Sequence, residues 1–262
     1  MTFKLALAQC AHRQDGNAAA LVEDWAGRAA HEGADLLVFP ESLMTPFELS
    51  SEEYIAAAEP LDGPFGRRMS EVARERGLWM LYSANELNPA GGAPFNAAVL
   101  LDDAGERRAV YRKVHLFDVG RYRESKKMSA GDRIFEPVQT PFCKLGLGIC
   151  YDLRFPELAR KQALAGAEVL LYPAAWVDGP QKVEQWQTLV RARAIENGAF
   201  VAGLSRTGDI YIGHSLVAGP TGAVVAEADG GEQLLCCDID VDAVAATQAA
   251  VPALAHRRPE LY

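Results

Sequence analysis

The sequence predicts a layered α/β fold, and three observations carry that prediction. Helical and strand patterns alternate along both halves of the 262 residues, the order that stacks helices against sheets. Several candidate strands are short, continuous apolar runs, as expected of strands buried on both faces. An eight-residue stretch also recurs: "GADLLVFP" at Gly33–Pro40 matches "GAEVLLYP" at Gly166–Pro173, each following a helical stretch. A repeat of this kind points to a duplicated α/β half.

Taken in order, Phe3–Gln9 alternates weakly and reads as a first strand. Leu21, Val22, Trp25 and Ala29 fall at helical spacing within Asn17–Glu32, with Gly33 as the stop. "DLLVFP" is the next strand. A helix over Phe65–Arg76 ends at Gly77, and strands follow at Leu78–Ser83, Asn96–Leu101 and Arg108–Tyr111, with the turn chemistry of "NPAGGAP" among them. Phe117–Arg133 has no clean period and reads as a long loop, a kind of segment that often carries function. The second half opens with "FCKLGLGIC" as a strand, a helix over Pro156–Ala165, and "EVLLYP" as a further strand. Lys182–Asn197 is a helix with Val183, Trp186 and Val190 on one face. "AFVAGLS", "HSLVAGP", "AVVAEA" and "LLCCDID" close the chain as a series of strands.

Composition bounds the function classes. The chain is 49% hydrophobic and 23% charged, enough apolar material for a large core. A net charge of −9 and a pI near 5.1 argue against the basic stripe of a nucleic-acid-binding protein and against an anionic membrane surface. The opening "MTFKLALAQC" has too short an apolar part for a signal peptide, and no run of about 18 apolar residues suggests a membrane span. The five cysteines are Cys10, Cys143, Cys150, Cys236 and Cys237. Their odd number and the size of the chain suggest reduced thiols in a cytoplasmic protein, and the absence of C-x-x-C leaves a zinc site without support.

In layered α/β proteins, sites gather beyond the carboxyl ends of strands. Three predicted strands deliver candidate groups there: "LLVFPES" delivers Glu41, "LGLGIC" delivers Cys150 and "VLLYPAAW" delivers Trp176. If the three strands are parallel neighbours, these groups share one rim. Cys150 sits at a strand-to-helix turn, where a side chain is pushed outward and backbone N–H groups, here that of Tyr151, can meet an anion. The bland reading is a core thiol, which suits the other four cysteines better. A nucleophilic thiol needs a base. His115 in "KVHLFD" and His214 in "YIGHSL" are the histidine options, although a structural role suits both. Glu41 is the carboxylate option, provided burial and like charge raise its pKa. Lys113 in "VYRKVHLF" could hold a thiolate or an oxyanion if buried, and would otherwise be a surface lysine.

"FPES" with Glu41, "YRKVHLFD" with Lys113 and "GICYDLRFPE" with Cys150, in this order, resemble the three motifs of the nitrilase superfamily, the carbon–nitrogen hydrolases. The resemblance runs from the first strand to the closing "HRRPELY". "CYDLRFPEL" is most like the branch of omega-amidases and deaminated-glutathione amidases, and "RESKKMSAGD" resembles that branch's segment with a second glutamate, here Glu124.

The resemblance implies an αββα sandwich formed by one domain over residues 1–262. It also implies pairing into αββα–αββα dimers or higher homo-oligomers, with the tail 251–262 as a strap onto the partner subunit. It implies a small-molecule amide substrate, cleaved without metal or organic cofactor. Glu41 would be the base, Cys150 the nucleophile, Lys113 and the Tyr151 N–H the oxyanion donors, and Glu124 an orienting group. Phe47 and Trp176 would wall the pocket. Arg154 would grip a substrate carboxylate or instead pair with Asp152 or Glu157, and Tyr122 is a further candidate contact. An omega-amidase-like monoamide of a dicarboxylic acid is the first expectation. N-carbamoyl hydrolysis, nitrile hydrolysis and a non-catalytic binding role are the alternatives.

Overall fold

The computed structural model describes residues 1–208 and 210–261; Asp209, and Tyr262 at the end of the expected strap, lie outside the described residues. The first half runs β1 (Thr2–Gln9), α1 (Ala18–His31), β2 (Leu36–Val38), α2 (Ser51–Ala57), α3 (Pro64–Arg76), β3 (Trp79–Glu86), β4 (Phe95–Leu101) and β5 (Arg107–Arg112). The second runs β6 (Val138–Gln139), β7 (Lys144–Leu147), α4 (Pro156–Leu164), β8 (Val169–Ala174), α5 (Lys182–Asn197) and β9 (Phe200–Ser205). It continues through β10 (Thr207–Gly208), β11 (Tyr211–Ile212), β12 (Leu216–Ala218), β13 (Val224–Glu227), β14 (Gln233–Asp240) and α6 (Asp242–Ala250).

Two six-stranded sheets form, in the orders β14-β1-β2-β3-β4-β5 and β13-β12-β9-β8-β7-β6. In the first, β1, β2 and β3 are parallel and β4 and β5 antiparallel. In the second, β7, β8 and β9 are parallel and β12 and β13 antiparallel. Each sheet therefore repeats one sequence of pairings. The two echoing octapeptides form the middle parallel strands, β2 and β8, of the two repeats.

Alternation along the strands explains the layering. Leu5 and Leu7 of β1 share one cluster with Leu36 and Val38 of β2 and with Leu145 and Leu147 of β7 across the sandwich. Ala6 and Ala8 turn the other way, into a cluster with Leu21, Val22 and Trp25 of α1 and Met69 and Val72 of α3. On the far side, Trp186 and Val190 of α5 and Leu158 of α4 cover the second sheet. Gly203 permits that contact, because a Cβ there would sit 2.7 Å from the Trp186 ring. The layers are thus α, β, β, α, and each fully buried leucine contributes on the order of 2 kcal/mol of hydrophobic stabilisation.

Most expected elements form within a residue or two. The main shortening is β7, expected to run from Phe142 to Cys150 but confined to Lys144–Leu147. At its start Cys143 is drawn into a turn by the Thr140 hydroxyl, which accepts from the Cys143 N–H and donates to its carbonyl. At its end the chain turns out of the sheet at Gly148, where a Cβ would press on the Tyr172 ring at 2.5 Å.

Candidate active site

Three of the four central side chains leave the end of a strand, and the fourth, Glu124, comes from a loop. Past β2, the Phe39 N–H still bonds the Leu81 carbonyl, and Pro40 and Glu41 then turn away from the sheet. Ser42 follows with a φ of +57°. Lys113 directly follows β5, its N–H held by the Asn96 carbonyl. Glu124 starts a one-turn 3-10 helix, Glu124–Lys126, inside the expected long loop. Its carboxylate accepts the Phe117 N–H at 2.7 Å and so closes that loop on itself. Cys150 opens the 3-10 turn after β7 with a φ of +48°. A non-glycine residue in that region is strained and persists only where its surroundings fix it.

The condition that the strands bearing Glu41, Cys150 and Trp176 be parallel neighbours is met for the last two and not for the first. Glu41 follows β2 in the first sheet, whereas Cys150 and Trp176 follow β7 and β8 in the second. The groups nevertheless converge, because the carboxyl ends of the two sets of parallel strands meet at one end of the sandwich.

There the Lys113 ammonium donates to Glu41 Oε1 and to Glu124 Oε2, both at 2.8 Å. Asn96 Nδ2 bridges the same two carboxylates at 2.8 and 3.1 Å. The Ala175 N–H donates to the other oxygen of Glu41 at 2.8 Å, and the Cys150 side chain faces the same recess, where its thiol and the Glu41 carboxylate act on each other. Lys113, Glu41 and Glu124 are only 1%, 2% and 1% exposed. Charges buried to this degree must be paired, and these are.

The protonation states follow. Burial pushes the Glu41 carboxyl up, but the Lys113 ammonium, the Ala175 N–H and the Cys150 thiol outweigh it and hold it below the usual carboxylate value. The expectation of a raised Glu41 pKa is thereby corrected: the cation and the donors decide, not burial. Burial and the Glu41 charge push the Cys150 thiol well above its ordinary value. Burial works against the Lys113 charge, yet Glu124, Glu41 and Cys150 prevail and keep it an ammonium. The resting site is a neutral thiol beside an ionised carboxylate that is clamped by a cation.

Cys150 faces a recess of about 350 Å³ lined by Glu41, Lys113, Tyr151, Trp176, Phe47, Arg154 and others. Phe117 and Lys182, which sequence reasoning passed over, complete the walls. Tyr122 stands outside the lining, with its ring behind those of Phe47 and Phe117 at centroid distances of 5.9 and 5.6 Å. Arg154 pairs with neither Asp152 nor Glu157. Its guanidinium lies 4.8 Å from the Trp176 ring centroid and donates to the neutral Gln185 side chain. Lys182 lies over Trp176 and Phe117.

Asp152 has a different task. Wholly buried, it accepts from the Ile149 N–H and the Tyr111 hydroxyl, each at 2.8 Å, and from the His115 N–H at 3.2 Å, and it touches His115 Nδ1 at 2.7 Å. One carboxylate thus ties the turn of Cys150 to the residues on either side of Lys113. His115 is accounted for by this pairing and by stacking on Phe155 at 3.6 Å. His214 bonds through its backbone, to Asp229 and Trp186. Neither histidine is among the residues lining the recess.

A thiol, a buried carboxylate on the same recess and a fixed cation are the groups that a cysteine-dependent hydrolase needs. Comparison with known proteins narrows the class. The carbon-nitrogen hydrolase family model matches residues 4–249. A deaminated glutathione amidase of Mus musculus is 38% identical over 250 residues, covering 89% of this chain and 76% of that protein. An omega-amidase of Homo sapiens is 35% identical over 246 residues, covering 89% and 87%. Among solved structures, a carbon-nitrogen hydrolase from Helicobacter pylori superposes with a TM-score of 0.93 at 27% identity, covering 100% of this chain and 97% of that one. The chain belongs to the carbon-nitrogen hydrolase family and has the αββα fold that the motifs implied.

Proposed function

We propose that the protein is an amidase that cleaves a small, non-peptide amide through a thioester on Cys150. The observation that carries this reading is the Cys150 thiol sharing one recess with a carboxylate, Glu41, that Lys113 holds ionised. Glu41 takes the thiol proton as sulfur attacks the amide carbonyl. Lys113 and the Tyr151 N–H receive the oxyanion, and the ammonium also offsets the charge transferred to sulfur. Glu41 then returns the proton to the departing nitrogen, and ammonia leaves. The same carboxylate removes a proton from water, which attacks the thioester and frees the acid and the thiol. Glu124 and Asn96 hold Lys113 and Glu41 in register. No step calls for a metal or organic cofactor, since base, nucleophile and oxyanion donors all belong to the chain.

The substrate favoured here is the monoamide of a short dicarboxylic acid. Arg154 and Lys182 bring two cations to the recess, and neither has an ion-pair partner among the described residues. Burial and Arg154 lower the Lys182 pKa, a strain that a bound carboxylate would relieve. Phe47 and Trp176 wall the chain between amide and acid. The amidase names of both relatives support this reading, and the five free cysteines suit a reducing cytoplasm. We place the enzyme there as a homodimer with the exposed tail after Val251 at its interface, a state that sedimentation can check.

The test is ammonia release from matched amides, N-carbamoyl compounds and nitriles, with rapid-quench mass spectrometry of Cys150. Turnover of dicarboxylic monoamides with an acyl adduct on Cys150 is expected. Nitrile turnover without amide turnover refutes the proposal. Slow, uniform labelling of all five cysteines by alkylating agents, unaffected by amide, favours a binding role.

A further inference from the structure

We infer that Arg206 is a positioning residue for the general base, holding the Glu41 turn in place from the opposite sheet. This rests on the reading of Glu41 as the base. Arg206 follows β9 in the second sheet and is wholly buried. Its side chain crosses to the first sheet, where Nε donates to the Glu41 carbonyl at 3.2 Å and Nη2 to the Ser42 carbonyl at 3.1 Å. Its own N–H is fixed by the Ala174 carbonyl at 2.8 Å, one residue before the Ala175 N–H that holds Glu41 Oε2. The Glu41 turn is therefore gripped by two consecutive positions at the end of β8, Ala175 directly and Ala174 through Arg206.

The geometry gives this grip a purpose. Ser42, at a φ of +57°, is one of four non-glycine residues in the left-handed region among the described residues, and Cys150 is another. Both halves of the thiol–carboxylate pair thus sit beside strained backbone, and each is held by a buried charged side chain that reaches between the sheets. For Cys150 that side chain is Asp152; for Glu41 it is Arg206. A planar guanidinium is suited to this because its fork meets two successive carbonyls at once, where an ammonium would meet them singly.

Burying a cation is costly, and a neutral donor would have served the carbonyls. Burial lowers the Arg206 pKa, but a guanidinium stays charged in proteins. Its charge acts on Glu41, as the Glu41 charge in turn supports that of Arg206. The other titratable groups that act on Glu41 or are acted on by it are Lys113 after β5, Glu124 in the 3-10 turn, Cys150 after β7, Tyr54 of α2 and Tyr211 of β11. Of these only Lys113 is a cation. Arg206 adds a second positive charge on the backbone side of the base.

The experiment compares Arg206→Met and Arg206→Lys with wild type and with Glu41→Gln, reading kcat, KM and the pH dependence of kcat/KM for amide hydrolysis on folded protein verified by circular dichroism. Arg206→Met should lower kcat on the order of 10²-fold, the cost of a displaced catalytic group, with KM within about twofold. Its acid limb should move up, because removing a cation raises a carboxylate pKa. Arg206→Lys should restore the acid limb while leaving kcat depressed, which separates charge from fork. Wild-type kcat and an unmoved acid limb in Arg206→Met overturn the inference. If Arg206→Met does not fold, wild-type kcat in Arg206→Lys overturns it. An active Glu41→Gln enzyme instead defeats the underlying assignment of the base.

Discussion

Replacing Lys113 with methionine removes one charge from a triad and leaves two carboxylates facing each other. The ammonium lies 2.8 Å from each partner, and all three groups are almost wholly out of water. Breaking a buried pair by deleting one member typically costs about 3–5 kcal/mol, because the survivor keeps an uncompensated charge. Here two survivors repel each other, so the upper part of that range applies near pH 8. The pH dependence gives the prediction its edge. The Glu41 pKa is depressed in the native protein, so its stabilisation is present above its unfolded value of 4.5 and is lost only as pH falls through the folded value. The Lys113 pKa is raised, so its contribution is present below 10.5 and lost only as pH rises through the folded value. Wild type therefore gains and loses nothing from Glu41 and Lys113 between pH 8 and 5. In Lys113→Met, burial and like charge favour a neutral carboxyl, and the native state takes up a proton that the unfolded state lacks. Its stability must rise as pH falls. Urea unfolding at both pH values measures the two gaps: a wide one at pH 8, and one narrower by about 1 kcal/mol or more at pH 5. Equal stabilities at pH 8, or a gap that ignores pH, refute the view that Lys113 is the counter-ion of both glutamates. Activity should fall on the order of 10²–10³-fold through loss of the oxyanion donor.

Other outcomes follow from the same geometry. If Glu41 accepts the Cys150 proton as proposed, alkylation of Cys150 by iodoacetamide should not climb with pH through 9 as for a free thiol; Glu41→Gln should abolish the fast phase, and substrate should protect it. Asp152→Asn places an amide N–H₂ against donors at Ile149, Tyr111 or His115, so it should lower kcat and Tm with little change in KM, read by steady-state kinetics and calorimetry. Arg154→Gln and Lys182→Gln should each raise KM for a dicarboxylic monoamide by about tenfold, the loss of one charge-assisted contact, and leave an uncharged short amide unaffected. A comparable effect on both substrates would place these cations outside the substrate-binding role.

Much of the fold is legible because burial writes it into periodicity. β2 and β8 are continuous apolar runs since each lies inside both its sheet and its sandwich. What pattern does not carry is which sheet a strand joins: "LLVFP" and "LGLGIC" obey the same rule and end up in different sheets. Helix α2 was missed although its signal is present, since Ser50 and Glu53 form a capping box in "SSEE". Within the site, Glu41, Lys113 and Cys150 stand out as polar or reactive residues where apolar runs stop. Asn96 could have been found as a lone amide opening an otherwise apolar strand, a polar group that burial obliges to be paired. Asp152 was weighed only as a partner for Arg154, because sequence spacing cannot say that its carboxylate reaches Tyr111 and His115 across the sandwich. Ala175 acts through its backbone, for which side-chain chemistry gives no sign.

The duplication explains why the site lies where it does. Each sheet alone offers a set of parallel strand ends, a common place for ligands, but neither holds a complete set of groups. The first supplies Glu41, Asn96 and Lys113, a carboxylate with its counter-ion and no nucleophile. The second supplies Cys150 and the Ala175 N–H, the thiol and the backbone donor of the proposed site. Stacking the sheets face to face, which the hydrophobic faces of β1, β2, β7 and β8 enforce, brings the two incomplete sets together away from water. That burial makes the ion pairing obligatory and leaves the thiol neutral until a carbonyl arrives. The packing that stabilises the sandwich and the electrostatics that arm the cysteine therefore have one cause, and a substitution that separates the sheets at this end should silence the thiol before it unfolds the chain.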